Sequence, residues 1–160
     1  RAQRRQMVPD HSEQADAARA QAERTAEGRL AARVEYKRKA GNEAYSSGDY
    51  QQAAVLYSEA LALDDTVVAI LSNRAAAFLK LGRYAQARAD AERAASLKPD
   101  FAKAHFRLAL ALQAQEAFGD ACASFSRCLQ IEPKNKEATA GLRMAEVQAE
   151  RQHRTHAAQA

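Results

Sequence analysis

The chain repeats itself every 34 residues, and this period constrains the possible fold more than any other feature of the sequence. A shift of 34 positions, without a gap, brings aromatic, small and aliphatic residues into register in three copies. The matching sets are Tyr50, Tyr84 and Phe118; Ala53, Ala87 and Ala121; Tyr57, Ala91 and Phe125; Ala60, Ala94 and Cys128; and Leu63, Leu97 and Ile131. A fixed period of about 20–50 residues indicates stacked structural units, and three copies are about the minimum that can bury a shared core.

Each unit is predicted to be a pair of α-helices. Alanine supplies much of the 47% apolar content, whereas aromatic residues make up only 6%. Because alanine is the strongest helix former, we predict an all-α fold. The predicted helices span residues 34–46 and 50–63, 67–80 and 84–97, and 101–114 and 118–131. Gly48 and Gly82 suit the left-handed residue that follows a helix end, whereas the third turn, at residues 115–117, lacks a glycine.

A separate section precedes the repeats. Residues 1–33 are rich in Ala, Glu, Arg and Gln after Pro9, a composition that favours helix. We predict a helical N-terminal extension or linker, capped by Asp10 or Ser12, with Gly28 as a weak point. Because its apolar stripe is thin, this helix is expected either to be exposed to solvent or to dock on a partner.

The repeats themselves form one predicted domain over residues 34–150. It contains three units, followed by a helix that closes the stack with a polar outer face, as stacked repeats require. The predicted divisions are 34–67, 68–101, 102–135 and the capping helix 136–150. The tail 151–160 lacks an apolar stripe and is expected to fray. Because the chain begins with Arg1, we also expect other domains of a longer parent chain.

Charge and composition argue against several classes of function. The 24 basic and 20 acidic residues are interspersed, and the net charge is only +4. That pattern is typical of solvated helices, not of a nucleic-acid-binding stripe. No apolar run approaches the ~20 residues that span a bilayer, so no membrane partner is expected. The absence of a Gly-rich phosphate loop, a nucleophile–base pair and a metal-ligand cluster predicts no enzyme, no cofactor and no metal. The two cysteines favour a reduced, cytoplasmic protein.

The repeating positions carry a resemblance to a known family. Over residues 34–133, the small, small, aromatic, small and proline positions recur in phase, and this pattern resembles the tetratricopeptide repeat, although the signature Trp is absent. The resemblance implies an α-α superhelix of three helix pairs plus a capping helix. It also implies that the first helix of each pair lines a concave groove that binds a peptide or protein.

Five polar residues fall on the stripe that would face this groove. Positions 2, 5, 6 and 9 of each first helix share one face because they are spaced i, i+3, i+4 and i+7. The residues at these positions include Arg38, Asn42, Asn73, Lys103 and Arg107. Three cations and two amides suit an anion: lysine is a point charge, arginine can grip a carboxylate with two hydrogen bonds, and asparagine adds directional donors.

The five residues together favour a binding site over a solvated face. Asparagine costs up to about 0.7 kcal/mol relative to alanine inside a helix, so two asparagines in Ala-rich helices call for a reason. We interpret the set as a site for a group with two carboxylates, such as a chain terminus that ends in an acidic residue. Glu43 is taken as the only nearby acid, and it is expected to point away from the stripe.

The same residues resemble the two-carboxylate clamp of chaperone-binding tetratricopeptide domains. The pattern appears here as Arg38-x-x-x-Asn42, Asn73-Arg74 and Lys103-x-x-x-Arg107. That subclass binds the acidic Glu-Glu-Val-Asp tails of Hsp70 and Hsp90, which are therefore the expected partners. The sequence leaves the choice between these two chaperones open.

The resemblance also implies a role for each residue. Arg38, Asn42 and Asn73 would hold the terminal carboxylate of the tail. Lys103 would contact the side chain of the last Asp, and Arg107 the upstream part of the tail. Tyr45 and Ala76 would border the pockets for the aliphatic residues of the tail.

One departure from the family pattern and one alternative function qualify this interpretation. The first clamp residue is usually lysine, whereas here it is Arg38, which keeps the charge but changes reach and geometry. Lys37 and Lys39 cannot readily replace it, because each lies about 100° around the helix. In the alternative function, the chain is an assembly scaffold that binds another partner through its N-terminal helix or its convex face.

Overall fold

The computed structural model describes the backbone of residues 11–160 and the side chains from residue 13 onward. Within that range the chain forms seven α-helices and no strand. The helices are α1 (His11–Ser46), α2 (Tyr50–Leu63), α3 (Val68–Lys80), α4 (Tyr84–Leu97), α5 (Ala102–Ala114), α6 (Phe118–Ile131) and α7 (Lys136–Gln159). The predicted all-α fold, with three helix pairs and a C-terminal helix, is therefore confirmed.

The helices pack in chain order. Within each pair α1 packs on α2, α3 on α4 and α5 on α6, and between pairs α2 packs on α3, α4 on α5 and α6 on α7. The first helices of successive pairs also touch, α1 with α3 and α3 with α5, and α5 touches α7. The first helices and α7 thus form one continuous layer, and this layer carries the predicted groove.

Small residues allow the helices of each pair to approach closely. Ala53, Ala87 and Ala121, one in each repeat, are completely buried. Gly41 lies so close to the next helix that a Cβ atom there would sit 2.5 Å from the ring of Tyr57. Such a contact is well inside the van der Waals distance, so a larger residue at position 41 would overpack the first pair.

The three turns within the pairs use left-handed backbone conformations. Gly48 (φ 85°) and Gly82 (φ 72°) end the first two turns, as the sequence predicted. In the third turn Glu116 takes the same role with φ 63°. A non-glycine residue is strained in this region, but the turn keeps the same backbone pattern as the others, with Ala117 N donating to Leu112 O at 2.9 Å.

α1 differs from the sequence prediction because it is one helix of 36 residues. It passes through Gly28 without a break, and no helix boundary separates residues 33 and 34. A single glycine costs only about 1 kcal/mol relative to alanine, and the surrounding residues are strong helix formers. Ser12 lies inside the helix and so is not its N-cap, whereas Pro9 and Asp10 lie outside the described residues.

α7 also extends beyond the predicted length. The sequence suggested fraying after residue 150, but the helix continues to Gln159. Two side-chain hydrogen bonds tie it to the third repeat: Gln113 Nε2 donates to Gln148 Oε1 at 2.5 Å, and Gln152 Nε2 donates to Glu116 O at 3.2 Å. At its start, Asn135 caps the helix by accepting a hydrogen bond from Ala138 N at 2.9 Å. No helix in the described part of the chain is long and apolar enough to cross a membrane.

Candidate functional site

The layer of first helices and α7 contains two adjoining cavities. The larger, of about 590 Å³, lies between α3, α5 and the start of α7. The smaller, of about 240 Å³, lies between α1 and α3. Tyr45, Ala76 and Arg107 line both. The two cavities therefore form one groove, and Tyr45 and Ala76, predicted from the sequence to border it, are part of its wall.

Asn42 and Asn73 meet in the smaller cavity. Asn73 Nδ2 donates a hydrogen bond to Asn42 Oδ1 at 3.1 Å, across the boundary between α1 and α3. The hydroxyl of Tyr57 on α2 donates to the same oxygen at 2.6 Å. Because the oxygen of Asn42 is used by these two donors, its amide N–H groups are the atoms that it can offer to a ligand.

Tyr57 is a site residue that the sequence interpretation assigned only to packing. Its ring is buried, with 1% of the residue exposed, and the hydroxyl orients Asn42. The other two repeats have Ala91 and Phe125 at the position equivalent to Tyr57. The hydroxyl therefore occurs only in the first repeat, which is also the repeat that carries Asn42. Burial raises the pKa of Tyr57, so the hydroxyl stays protonated and remains a donor at neutral pH.

Arg107 occupies the junction of the two cavities. Its Nε atom is buried and has no hydrogen-bond partner among the described residues. Burial lowers the pKa of the guanidinium group, although arginine remains charged in proteins. A buried donor without an acceptor is costly and needs an explanation. An acceptor supplied by a ligand in the groove would satisfy it.

The larger cavity has walls of opposite charge. Lys80 and Lys103 line it from α3 and α5, whereas Glu132, directly after α6, and Glu137, in the first turn of α7, line the opposite side. The sequence interpretation placed Lys103 on this groove and considered only Glu43 as an acid close by in sequence, whereas two acids from more distant positions line the cavity. Glu132 and Glu137 were missed because the groove stripe was read only on the first helices of the repeats.

The floor of the larger cavity is apolar. Leu79, Phe106 and Leu110 line it together with Ala76 and Tyr45, and Phe106 packs edge-on against Phe125, with 5.9 Å between ring centroids. The groove can therefore hold an aliphatic side chain next to cationic groups.

Arg38 lies apart from the other four residues of the predicted clamp. Its Nε and Nη2 atoms donate to the two carboxylate oxygens of Glu35, at 2.8 and 2.7 Å. Together with Glu35 it lines a third cavity, of about 270 Å³, at the N-terminal edge of the stack. The hydrogen bond from Arg38 lowers the pKa of Glu35, so the carboxylate is ionised at neutral pH.

Glu35 is a third acid that the sequence interpretation overlooked. It stands three residues before Arg38, a spacing at which helix side chains meet, so the pair was visible in the sequence. The neighbouring cations are also engaged: Lys37 pairs with Glu59 on α2, and Lys39 approaches Glu35 to 3.9 Å.

Arg74, the second residue of the Asn73-Arg74 element, belongs to the core of the stack. It binds both oxygens of Asp90 at 2.7 Å and donates to Ser58 Oγ at 3.0 Å. These bonds join α3 to α4 and α2, so Arg74 fixes the helix that carries Asn73 without lining the groove. No group of three or more His, Cys, Asp or Glu side chains in the described part of the chain could hold a metal ion.

Comparison with known families matches the repeats one by one. Family models identify residues 41–82 as a TPR repeat, and residues 68–101 and 102–135 as tetratricopeptide repeats. The matches together cover residues 41–135, more than half of the 160 residues. The chain belongs to the tetratricopeptide repeat family.

Relatives of this tetratricopeptide domain include co-chaperones. The Hsp70-Hsp90 organizing protein of Triticum aestivum is 39% identical over 102 residues, which are 64% of this chain and 18% of that protein. The chain thus spans less than a fifth of this relative. The first TPR of Spaghetti (RPAP3), bound to the HSP90 peptide SRMEEVD, superposes with a TM-score of 0.70 and 29% identity, over 71% of this chain and 90% of that one.

Another similar domain was solved with an HSP70 peptide. The second TPR domain of human RPAP3, in complex with the HSP70 peptide SGPTIEEVD, superposes with a TM-score of 0.70 and 27% identity. The superposition covers 73% of this chain and 98% of that one. The solved neighbours thus include domains with either chaperone peptide.

Proposed function

We propose that this domain is a co-chaperone or adaptor module that captures the acidic C-terminal tail of Hsp70 or Hsp90 in its groove. The observation that carries the proposal is the convergence of Asn42, Asn73 and Arg107 on one cavity, where a buried Arg107 N–H lacks an acceptor among the described residues. The module acts by binding alone, without catalysis or a cofactor, in the cytoplasm. Its resemblance to domains solved with SRMEEVD and SGPTIEEVD peptides supports the same class of ligand.

In this proposal the tail lies along the groove with its chain terminus at the asparagine pair. The amide N–H groups of Asn42 and Asn73 donate to the terminal carboxylate, and Arg38 adds charge from the edge. Lys103 binds the side chain of the last Asp, and Arg107 binds the upstream part of the tail. Charge-assisted hydrogen bonds of this kind are roughly twice as strong as neutral ones.

The aliphatic residue of the tail then meets the apolar floor. Tyr45 and Ala76 lie between the two cavities, beside the asparagine pair, and Phe106 and Leu110 extend the surface towards α7. Burial of one such side chain contributes about 1.5–3 kcal/mol. The carboxylates thus set the position of the tail, and the apolar contact adds affinity.

Calorimetric titration with a nine-residue tail peptide tests the proposal. We expect binding by the native domain, loss of binding when the last Asp is removed, and strongly reduced affinity with Lys103→Ala and Arg107→Ala. Arg143→Ala, which removes an exposed cation of α7, is the matched control and should bind normally. Undiminished affinity of the native domain for the truncated peptide, or of both groove variants for the complete peptide, would contradict the proposal. Titration with both chaperone peptides measures the preference between Hsp70 and Hsp90.

An assembly scaffold is the second candidate function. It is favoured by the first half of α1, where nearly all side chains from Glu13 to Arg33 are exposed. A helix of this length presents a free surface that a partner could cover. Deletion of residues 1–33 would then abolish partner binding, while Lys103→Ala and Arg107→Ala leave it unchanged; the reverse pattern excludes the scaffold.

A further inference from the structure

The ion pair between Arg38 and Glu35 lies on α1 about one helical turn before Asn42, outside the two groove cavities. Both N–H groups on one edge of the Arg38 guanidinium, Nε and Nη2, bind the two oxygens of Glu35. This two-bond arrangement is the one in which arginine recognises a free carboxylate. Glu35 therefore occupies the same face of Arg38 that a chain-terminal carboxylate would use.

The position of Arg38 supports the same conclusion. Helix side chains lean towards the N-terminus of their helix, and Glu35 lies in that direction, whereas Asn42 lies one turn the opposite way. Arg38 lines the cavity that contains Val34 and Ile70, and it is absent from the cavity that contains Asn42 and Asn73. The pair with Glu35 thus holds the cation away from the asparagines.

The pair is nevertheless accessible enough to exchange. The side chain of Arg38 is 30% exposed and that of Glu35 is 47% exposed. Exposed ion pairs of this kind contribute little to stability, so a tail carboxylate competes with Glu35 on nearly equal terms. Two carboxylates close to one another also repel, which disfavours a complex in which Glu35 and the tail share Arg38.

We infer that Glu35 is an intramolecular competitor that occupies Arg38 and lowers the affinity of the groove for a chain-terminal carboxylate. This inference rests on the proposed function of the groove. It assigns to Glu35 a role in setting affinity: a tail that binds Arg38 must first displace an internal carboxylate from its guanidinium group.

Substitution of Glu35 tests the inference directly. Glu35→Gln removes the charge and keeps the size of the side chain, and we expect it to bind a Glu-Glu-Val-Asp peptide about two- to fivefold more tightly than the native domain. Glu43→Gln, an equal charge change at another exposed position of α1, is the matched control and should leave affinity unchanged. Equal or weaker binding by Glu35→Gln would show that Glu35 positions Arg38 instead, and would overturn the inference.

A double-mutant cycle distinguishes the mechanism from a general charge effect. If Glu35 sequesters Arg38, Arg38→Ala should weaken binding more in the Glu35→Gln background than in the native one. An identical loss in both backgrounds would contradict the inference.

The failure of this inference can be told apart from failure of the proposed function. If Arg107→Ala abolishes binding while Glu35→Gln has no effect, only the role of Glu35 is wrong. If neither the native domain nor Glu35→Gln binds the peptide, the proposed function is wrong and the inference fails with it.

Discussion

Arg38 on α1 and Arg107 on α5 carry the same charge, but Arg107 lines the groove, whereas Arg38 lies outside it and has different surroundings. The side chain of Arg38 is 30% exposed, and its Nε and Nη2 atoms are hydrogen-bonded to Glu35. Arg107 lies deeper, and its Nε has no acceptor among the described residues. A buried donor without a partner destabilises the free domain, and a ligand that supplies the acceptor removes that cost. The number of cations near a groove therefore does not give the number that are available to a ligand.

The largest effect is expected at Arg107. Its replacement by alanine removes a charge-assisted hydrogen bond worth about 1.5–3 kcal/mol, so tail affinity should fall about ten- to a hundredfold. Calorimetry measures the loss, and circular dichroism checks that the helices are intact. A loss of less than about twofold would remove the distinction between the two arginines.

The next effect is expected at Tyr57, which acts through Asn42. Tyr57→Phe removes the donor that fixes the Asn42 carboxamide, at a cost of about 1 kcal/mol. Tail affinity should fall roughly fivefold because Asn42 can then rotate away from the ligand. Tyr84→Phe removes the hydroxyl of a residue that is 39% exposed and serves as the matched control. Equal affinities for the two variants would mean that the orientation of Asn42 does not matter.

A smaller effect is expected at Arg38 itself. Because Glu35 already accepts hydrogen bonds from the Arg38 guanidinium group, Arg38→Ala should weaken tail binding only about twofold. This value is to be compared with the loss for Arg107→Ala in the same titration. If the two losses are equal, Arg38 is as available to the ligand as Arg107, and the contrast between the two arginines is wrong.

The smallest effect concerns pH. The pKa of Glu35 lies below its usual 4.5 because of the hydrogen bond from Arg38. A lowered folded-state pKa means that the pair contributes its full stability above pH 4.5 and loses it as the pH falls through the lowered value. The difference in melting temperature between the native domain and Glu35→Gln should therefore be small and constant from pH 8 to 5, and should vanish at lower pH. A difference in melting temperature that changes between pH 8 and 6 would contradict the lowered pKa of Glu35.

The repeat architecture could be predicted from the sequence because it depends on local patterns. The period places each helix, and the observed starts of α3 and α5 differ from prediction by one residue. The clamp positions followed from helical spacing, and four of the five lie on the groove. Helical spacing says which face a residue is on, but not which partner its side chain selects.

The rest depends on contacts between elements that are distant in sequence. The Tyr57–Asn42 bond crosses 15 positions, and Glu137 reaches the groove only because α7 packs beside α5. The choice of Arg38 between Glu35 and the groove is a balance between side-chain conformers of nearly equal energy. The extension of α7 was missed for a related reason, since its anchor Gln152 bonds to a turn 36 residues away.

The length of α1 has a mechanical consequence. The helix has 36 residues, about 54 Å at 1.5 Å per residue, and only its last third carries Arg38, Asn42 and Tyr45. Because the helix is unbroken, its exposed first part is a lever arm attached to one wall of the groove. Any partner or neighbouring domain that pulls on the free end applies torque to that wall. Fixing the free end would therefore stiffen the groove from outside, without touching a single residue that binds the tail.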